Sequence, residues 1–178
     1  MIKSSCLKIG IALLISQVVL TGARAQTPAA GSPPALSRLT QSFVENGHKA
    51  CSKDLDKAVK WVHEDDTRYG MHYVWNKDIP DKRTAIGITS ESLGDGTSMV
   101  TAFTSTLDST NKCSISAVSV FYFPKSCTSV RESAFKGWKF GGEIASTSVY
   151  ESDDGSINGY LTSTPGGCQV VRKYIAYY

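Results

Sequence analysis

The chain has 178 residues, 41% of them hydrophobic, with 19 basic and 16 acidic residues and a formal net charge of +3. Lys3, Lys8 and Arg24 lie in the first 25 positions, and without them the balance is 16 against 16. A neutral remainder with no basic run longer than Arg172-Lys173 excludes nucleic acid as a partner and leaves no charge argument for an anionic membrane surface.

Residues 1–25 read as a secretory signal. Lys3 and Lys8 precede the apolar run Ile9 to Leu20, and Ala23-Arg24-Ala25 is a small-x-small cleavage signature. The run is about 12 residues long, too short for a bilayer that needs ~20. Gln26-Thr27-Pro28 follows the expected cleavage point, so no cysteine is placed to take a lipid anchor. The expected location is periplasmic or secreted. Residues 26–34, "QTPAAGSPP", read as a flexible spacer rich in Pro, Ala and Gly. Residues 35–178 then form a single domain with enough chain to bury a core.

Leu36, Leu39, Phe43 and Val44 repeat at helical spacing before Asn46-Gly47, which predicts a helix over 35–46. A second helix follows Cys51, with Ser52 as N-cap and Cys51, Leu55, Ala58, Val59 and Val62 as its apolar stripe. Residues 69–83 read as an aromatic, charged connection. From Arg83 the period becomes two: Ile86 and Ile88 alternate with Gly87 and Thr89, and "SLGDG" at 92–96 turns the chain. A strand over 99–107 leads through "DSTN" to a long strand at 114–123, apolar on both faces and therefore central. Ser129 and Glu132 form a capping box for a third helix that stops at Gly141-Gly142. Strands at 143–151 and 156–163 flank "SDDG", and "TPGG" leads into the last strand, 168–177. The order reads as α+β: an antiparallel β-sheet with N-terminal helices and one inserted helix, packed mainly on one face.

Cys51, Cys113, Cys127 and Cys168 remain after cleavage, an even count that reads as two disulfides in an exported chain. The strand between Cys113 and Cys127 would span ~33 Å, which places those two at opposite ends of the sheet and disfavours a bridge between them. Counting strand reversals places the starts of the strands at Cys113 and Cys168 at one end. The expected pairing is Cys51–Cys127 with Cys113–Cys168.

The stretch "WVHEDDTRYGMH", 61–72, concentrates His63 and His72 among acids. At ~100° per residue along the second helix, His63 falls at the stripe's edge while Glu64 and Asp65 point elsewhere. His63 and His72 are nine apart and lack metal-ligand spacing. The stretch reads as a solvated helix end, with no catalytic or metal-ligating set. No nucleophile elbow, phosphate loop or paired-cysteine metal motif occurs, and no cofactor is expected.

The candidate binding patch is Tyr73, Trp75, Lys77, Asp78 and Arg83, where aromatics and charges share an irregular segment. The functional expectation is a non-enzymatic exported binding or accessory protein, of the inhibitor or immunity type, recognising a protein of the cell envelope. The alternatives are a periplasmic hydrolase whose His and Asp meet only in the fold, and a domain holding a small ligand between sheet and helices.

Overall fold

The computed structural model describes residues 35–63, 66 and 68–178; the expected signal, the spacer, Glu64 and Asp65 lie outside the described residues. Helix α1 spans Arg38–Glu45 and α2 spans Ser52–Val62. Ser37 caps α1 by accepting the Thr40 N–H, and the Asp66 carboxylate accepts the Arg38 N–H at 2.8 and 3.0 Å. Two otherwise unpaired amides of the first turn are thereby satisfied. Ser52, expected as an N-cap, is the first helical residue instead, and Cys51 precedes it without a side-chain cap.

Eight strands form one antiparallel sheet: β1 (Gly70–Val74), β2 (Ala85–Ser92), β3 (Ser98–Leu107), β4 (Cys113–Phe123), β5 (Lys139–Ile144), β6 (Thr147–Glu151), β7 (Ile157–Thr164) and β8 (Gly167–Tyr177). Their spatial order is β1-β2-β3-β4-β8-β7-β6-β5. Strand β4 is central, which explains its apolar character on both faces. Helix α3 (Cys127–Ala134) begins a turn earlier than the capping box at Ser129 predicts, because Ser126 is the residue whose side chain accepts the Ser129 N–H.

Leu39 and Phe43 of α1 and Leu55, Ala58 and Val59 of α2 are buried with Ala85, Phe103, Ile115 and Ala117 of the sheet. Val130 and Phe135 are buried with Leu161, Cys168 and Val170 in a second cluster. We call the face carrying these sheet residues the inner face. Each large apolar side chain so buried contributes ~1.5–3 kcal/mol. Two glycines permit the close approach of the upper layer. A Cβ on Gly87 would come within 2.9 Å of the Leu39 side chain, and one on Gly159 within 2.2 Å of the Phe135 ring.

The disulfides are Cys51–Cys113 and Cys127–Cys168, which corrects the expected pairing. Strand β8 runs antiparallel to β4, so Cys168 lies opposite Phe123 at the far end of β4 from Cys113. The expected direction of β8 was inverted by one unseen reversal. Residues 143–151 are not one strand: the chain turns at Ala145 between β5 and β6. That turn, Ala145-Ser146, carries no glycine, asparagine, aspartate or proline. Ala145 itself takes the left-handed conformation, φ 52°, without glycine's freedom. Cys113 and Cys127 do sit apart, each bridged to another partner.

Ala145→Gly relieves this strain, and we expect it to stabilise the domain by about 0.5–1 kcal/mol. A shift of the urea midpoint to higher concentration at unchanged slope is the expected reading; a lower midpoint would remove the strain argument.

Candidate functional site

The predicted patch separates into two parts. Tyr73 points to the inner face, where its hydroxyl accepts from Asn46 Nδ2 at 3.2 Å and its ring lies 5.4 Å edge-on to Phe43. Trp75 stacks on Tyr73 at 5.1 Å, and both pack against the first core cluster. Lys77, Asp78 and Arg83 are exposed. The segment between them is tied to the turn before α2. Asp81 accepts the N–H groups of Lys49 and Ala50 at 2.7 and 2.9 Å. Fully buried His48 donates from Nδ1 to the Pro80 carbonyl at 2.9 Å and lies 3.0 Å from the Ser105 hydroxyl through Nε2. The aromatics of this patch close the core, and the three charges are left at the surface. The connection expected over 69–83 opens as strand β1, paired with β2 from Gly70↔Ser90 to Val74↔Ile86.

His63 is not on a solvated helix end. Helix α2 stops at Val62, and His63 takes an extended conformation, φ −113° and ψ 111°. Helical angular arithmetic therefore ends one residue too soon for it, and its imidazole turns onto the sheet. Nδ1 lies 2.9 Å from Glu91 Oε2 and Nε2 lies 2.8 Å from Thr89 Oγ1. The Thr89 hydroxyl also donates to the Thr101 carbonyl at 3.5 Å, and the Glu91 carboxylate can only accept. Nδ1–H therefore donates to the Glu91 carboxylate. Arg68 approaches the other carboxylate oxygen at 3.5 Å. His72 points to the opposite face of the sheet, beside Ile88, and is exposed. The two histidines cannot share a ligand.

Thr89, His63 and Glu91 have the connectivity of a hydroxyl–imidazole–carboxylate relay. Its position argues for structure instead. Thr89 is 1% exposed and lies in the middle of β2, where the backbone N–H groups serve the sheet ladder and offer no oxyanion site. A substrate has no path to that hydroxyl. Among the described residues, no three His, Cys, Asp or Glu side chains are grouped as a metal ion would require.

A second inward-facing charge lies beyond this network. Arg172 of β8 stands opposite Ser119 of β4 and Gly159 of β7. Its guanidinium carbon is 5.4 Å from the Trp61 ring, 5.7 Å from Trp138 and 6.0 Å from Phe121. Its Nε is sealed from solvent and has no hydrogen-bond partner among the described residues. Burial lowers the arginine's pKa from its ordinary value. A cavity of about 130 Å³ opens beside it, walled by Trp61 and Val62 of α2 and by Ala117, Ser119, Phe121 and Tyr174 of the sheet. Tyr174 stacks on Trp61 at 5.2 Å. The hydrogen bond with Tyr178, and then burial, push its phenol up to about 12, so it stays neutral at physiological pH. A neighbouring cavity of about 300 Å³ shares Trp61, Val62, Phe121 and Arg172 and reaches Glu91 and Arg68.

The sequence reading did not single out Arg172, Trp61 or Phe121 as a site. The available signal was alternation: Arg172 occupies the same face of its strand as Val170 and Tyr174, where a charge is unusual. The chain matches no family model, no curated protein and no solved structure.

His63→Ala leaves the Glu91 carboxylate buried without its imidazole donor, and we expect a loss of about 3 kcal/mol by urea unfolding. His72→Ala should change stability by less than ~0.5 kcal/mol. Equal effects would mean that His63 is not held in this network.

Tyr69 supplies a pH dependence. Burial, and next its hydrogen bond to Asp66, raise the phenol's pKa well above the ordinary value. A raised phenol contributes its full stabilisation below pH about 10 and loses it as the pH rises further. Urea midpoints should be flat up to that pH and then fall, and the fall should be shallower in Tyr69→Phe. A variant that falls as steeply as the parent would contradict the assignment.

Proposed function

We propose that the protein is an exported, non-enzymatic domain that binds another envelope protein through the outer face of its sheet. The observation that carries this reading is the inversion of β2. Ile86 and Ile88 point away from the helices and are 41% and 42% exposed, whereas Gly87, Thr89 and Glu91 on the same strand are covered. A sheet whose outer face only met water would carry its β-branched apolar residues on the other side.

The same tendency extends across the sheet. Val100, Val120, Val171, Tyr160 and Val149 form one row across five adjacent strands. Thirteen large hydrophobic residues are exposed among the described residues. Eight of them, Val74, Ile86, Ile88, Val100, Tyr122, Ile144, Ile175 and Tyr177, belong to the outer face. Contiguous apolar surface of this kind marks interaction sites. Eight strands of ordinary spacing present about 38 Å by about 25 Å, on the order of 900 Å². That matches the ~800 Å² per partner of a standard protein interface. Lys139, Glu151 and Lys173 are the Lys, Arg, Asp and Glu residues of the β-strands on this face, so the partner it fits is apolar and weakly charged. A concavity of about 390 Å³ over Val100, Val120 and Tyr122, edged by Pro165, gives the surface shape as well as chemistry.

Export is supported by the two disulfides and by the N-terminal signal pattern; no helix among the described residues is long and apolar enough to cross a membrane. The exposed charges Lys77, Asp78 and Arg83 lie next to the β1 edge of this surface and would form its polar rim.

A photoreactive residue placed at Val100 or Ile88 should crosslink in the native envelope to one discrete protein. The same residue at Asp153, in the β6–β7 turn, should not, and Val171→Lys should abolish the adduct while leaving circular dichroism unchanged. Identical adducts from all three positions, or none, would defeat the proposal. A purified chain that dimerises through Val100 would assign the face to a second copy instead.

A further inference from the structure

We propose that the cleft between α2 and the inner face of the sheet is a binding site for a small organic carboxylate with a ring-sized apolar body, anchored by Arg172. This site is on the opposite side of the sheet from the docking face and does not depend on it.

Arg172 has an unmet hydrogen-bonding demand. A guanidinium carries five N–H donors and can accept nothing. Arg172 is half-buried, its Nε has no acceptor, and among the described residues no carboxylate pairs with it. The rings of Trp61, Trp138 and Phe121 surround it at 5.4 to 6.0 Å. They offset part of the desolvation through their electron-rich faces, but a ring face is only a weak acceptor for the N–H groups. A guanidinium whose Nε is sealed from water without an acceptor destabilises the unliganded domain. A ligand with two coplanar oxygens satisfies it.

The cavity specifies the rest of the ligand. Its volume of about 130 Å³ is close to the ~150 Å³ apolar cavity that holds one benzene molecule. Trp61 and Tyr174, stacked on one another, form one wall, and Val62, Ala117 and Phe121 supply apolar surface around the rest. The Ser119 hydroxyl lines the cavity and shares a 2.8 Å hydrogen bond with Thr101; with Thr101 as the donor in that bond, the Ser119 hydrogen can meet one oxygen of the ligand. A single cation in an apolar surround suits a monoanion. Phosphate or sulfate would need several more donors than these walls provide. Glu91, which lines the adjoining cavity, is already engaged by His63 and Arg68, so Arg172 sets the sign of the cleft.

Benzoate is the probe, titrated into the full chain and followed by calorimetry, with tryptophan fluorescence reporting on Trp61. Benzamide, the neutral isostere, and sulfate, the bare anion, are the comparisons. We expect saturable one-to-one binding of benzoate in the range of about 0.1–5 mM, and at least about tenfold weaker binding of both comparisons. Arg172→Gln should weaken benzoate about tenfold or more. It should also raise the melting temperature of the unliganded protein, because it removes a charge without an acceptor. Should that variant fail to fold, Trp61→Ala, at a residue 46% exposed, removes one wall and should weaken benzoate about fivefold. The absence of saturation at about 20 mM benzoate, or equal binding by Arg172→Gln or, where that variant does not fold, by Trp61→Ala, would overturn the proposal. Sulfate or benzamide binding as tightly as benzoate would overturn the assigned ligand class.

Discussion

The pairing of β4 with β8 is the contact on which the remaining architecture rests. Strands β1 to β4 follow one another as neighbours in chain order, and so do β5 to β8. Only the register from Ser114↔Tyr177 to Phe123↔Cys168 makes the two meanders a single sheet. That register brings Ala117 opposite Tyr174 and Ser119 opposite Arg172, so it assembles the floor of the cleft from the two halves. It also sets the two core clusters side by side: one beneath α1 and α2, the other beneath α3. The walls around Arg172 come from both, Trp61 from α2 and Trp138 from the segment after α3. The cation thus stands at the seam between two separately packed cores.

The inner face achieves its covering in an unusual way. Along β2 the buried positions are Ala85, Gly87, Thr89 and Glu91, a series with little apolar bulk. The bulk comes from above: Leu39 lies over Gly87, while Thr89 and Glu91 are satisfied by His63. The apolar side chains of the same strand face the other way. Burial of polar groups is tolerable here because every member of the network has a partner at hydrogen-bonding distance. The consequence is that this strand contributes β-branched surface to the outside of the molecule.

Much of the fold was legible in the sequence because it depends on local periodicity. The stripe from Cys51 to Val62 formed a helix, the alternation over 99–107 and the two-faced run over 114–123 formed strands, and the α+β class with an antiparallel sheet followed. What was not legible depends on features with weak local signatures. The reversal at Ala145 lacks glycine, asparagine or proline, and missing it inverted β8 and with it the disulfide pairing. Strand β1 was masked by its own aromatics, which resemble a recognition loop and in fact close the core. His63 was misplaced because its orientation is set by the end of α2, where helical spacing no longer applies. The cleft residues Trp61, Ser119 and Arg172 are dozens of positions apart in the chain. They become neighbours only through the long-range ladder, which no motif encodes.

The connectivity of the bridges bears on how such a chain can be oxidised. Cys51 joins Cys113 and Cys127 joins Cys168, so each of the four described cysteines is linked to its neighbour in order and neither bridge crosses the β4–β8 seam. A chain threading out of a membrane pore from its N-terminus presents Cys51 and Cys113 before either later cysteine appears. Pairing on a first-come basis then yields the native bonds, and no mispaired intermediate has to be undone by an isomerase. Each meander can be closed covalently while its partner strand is still absent, leaving the two halves to meet as stapled units.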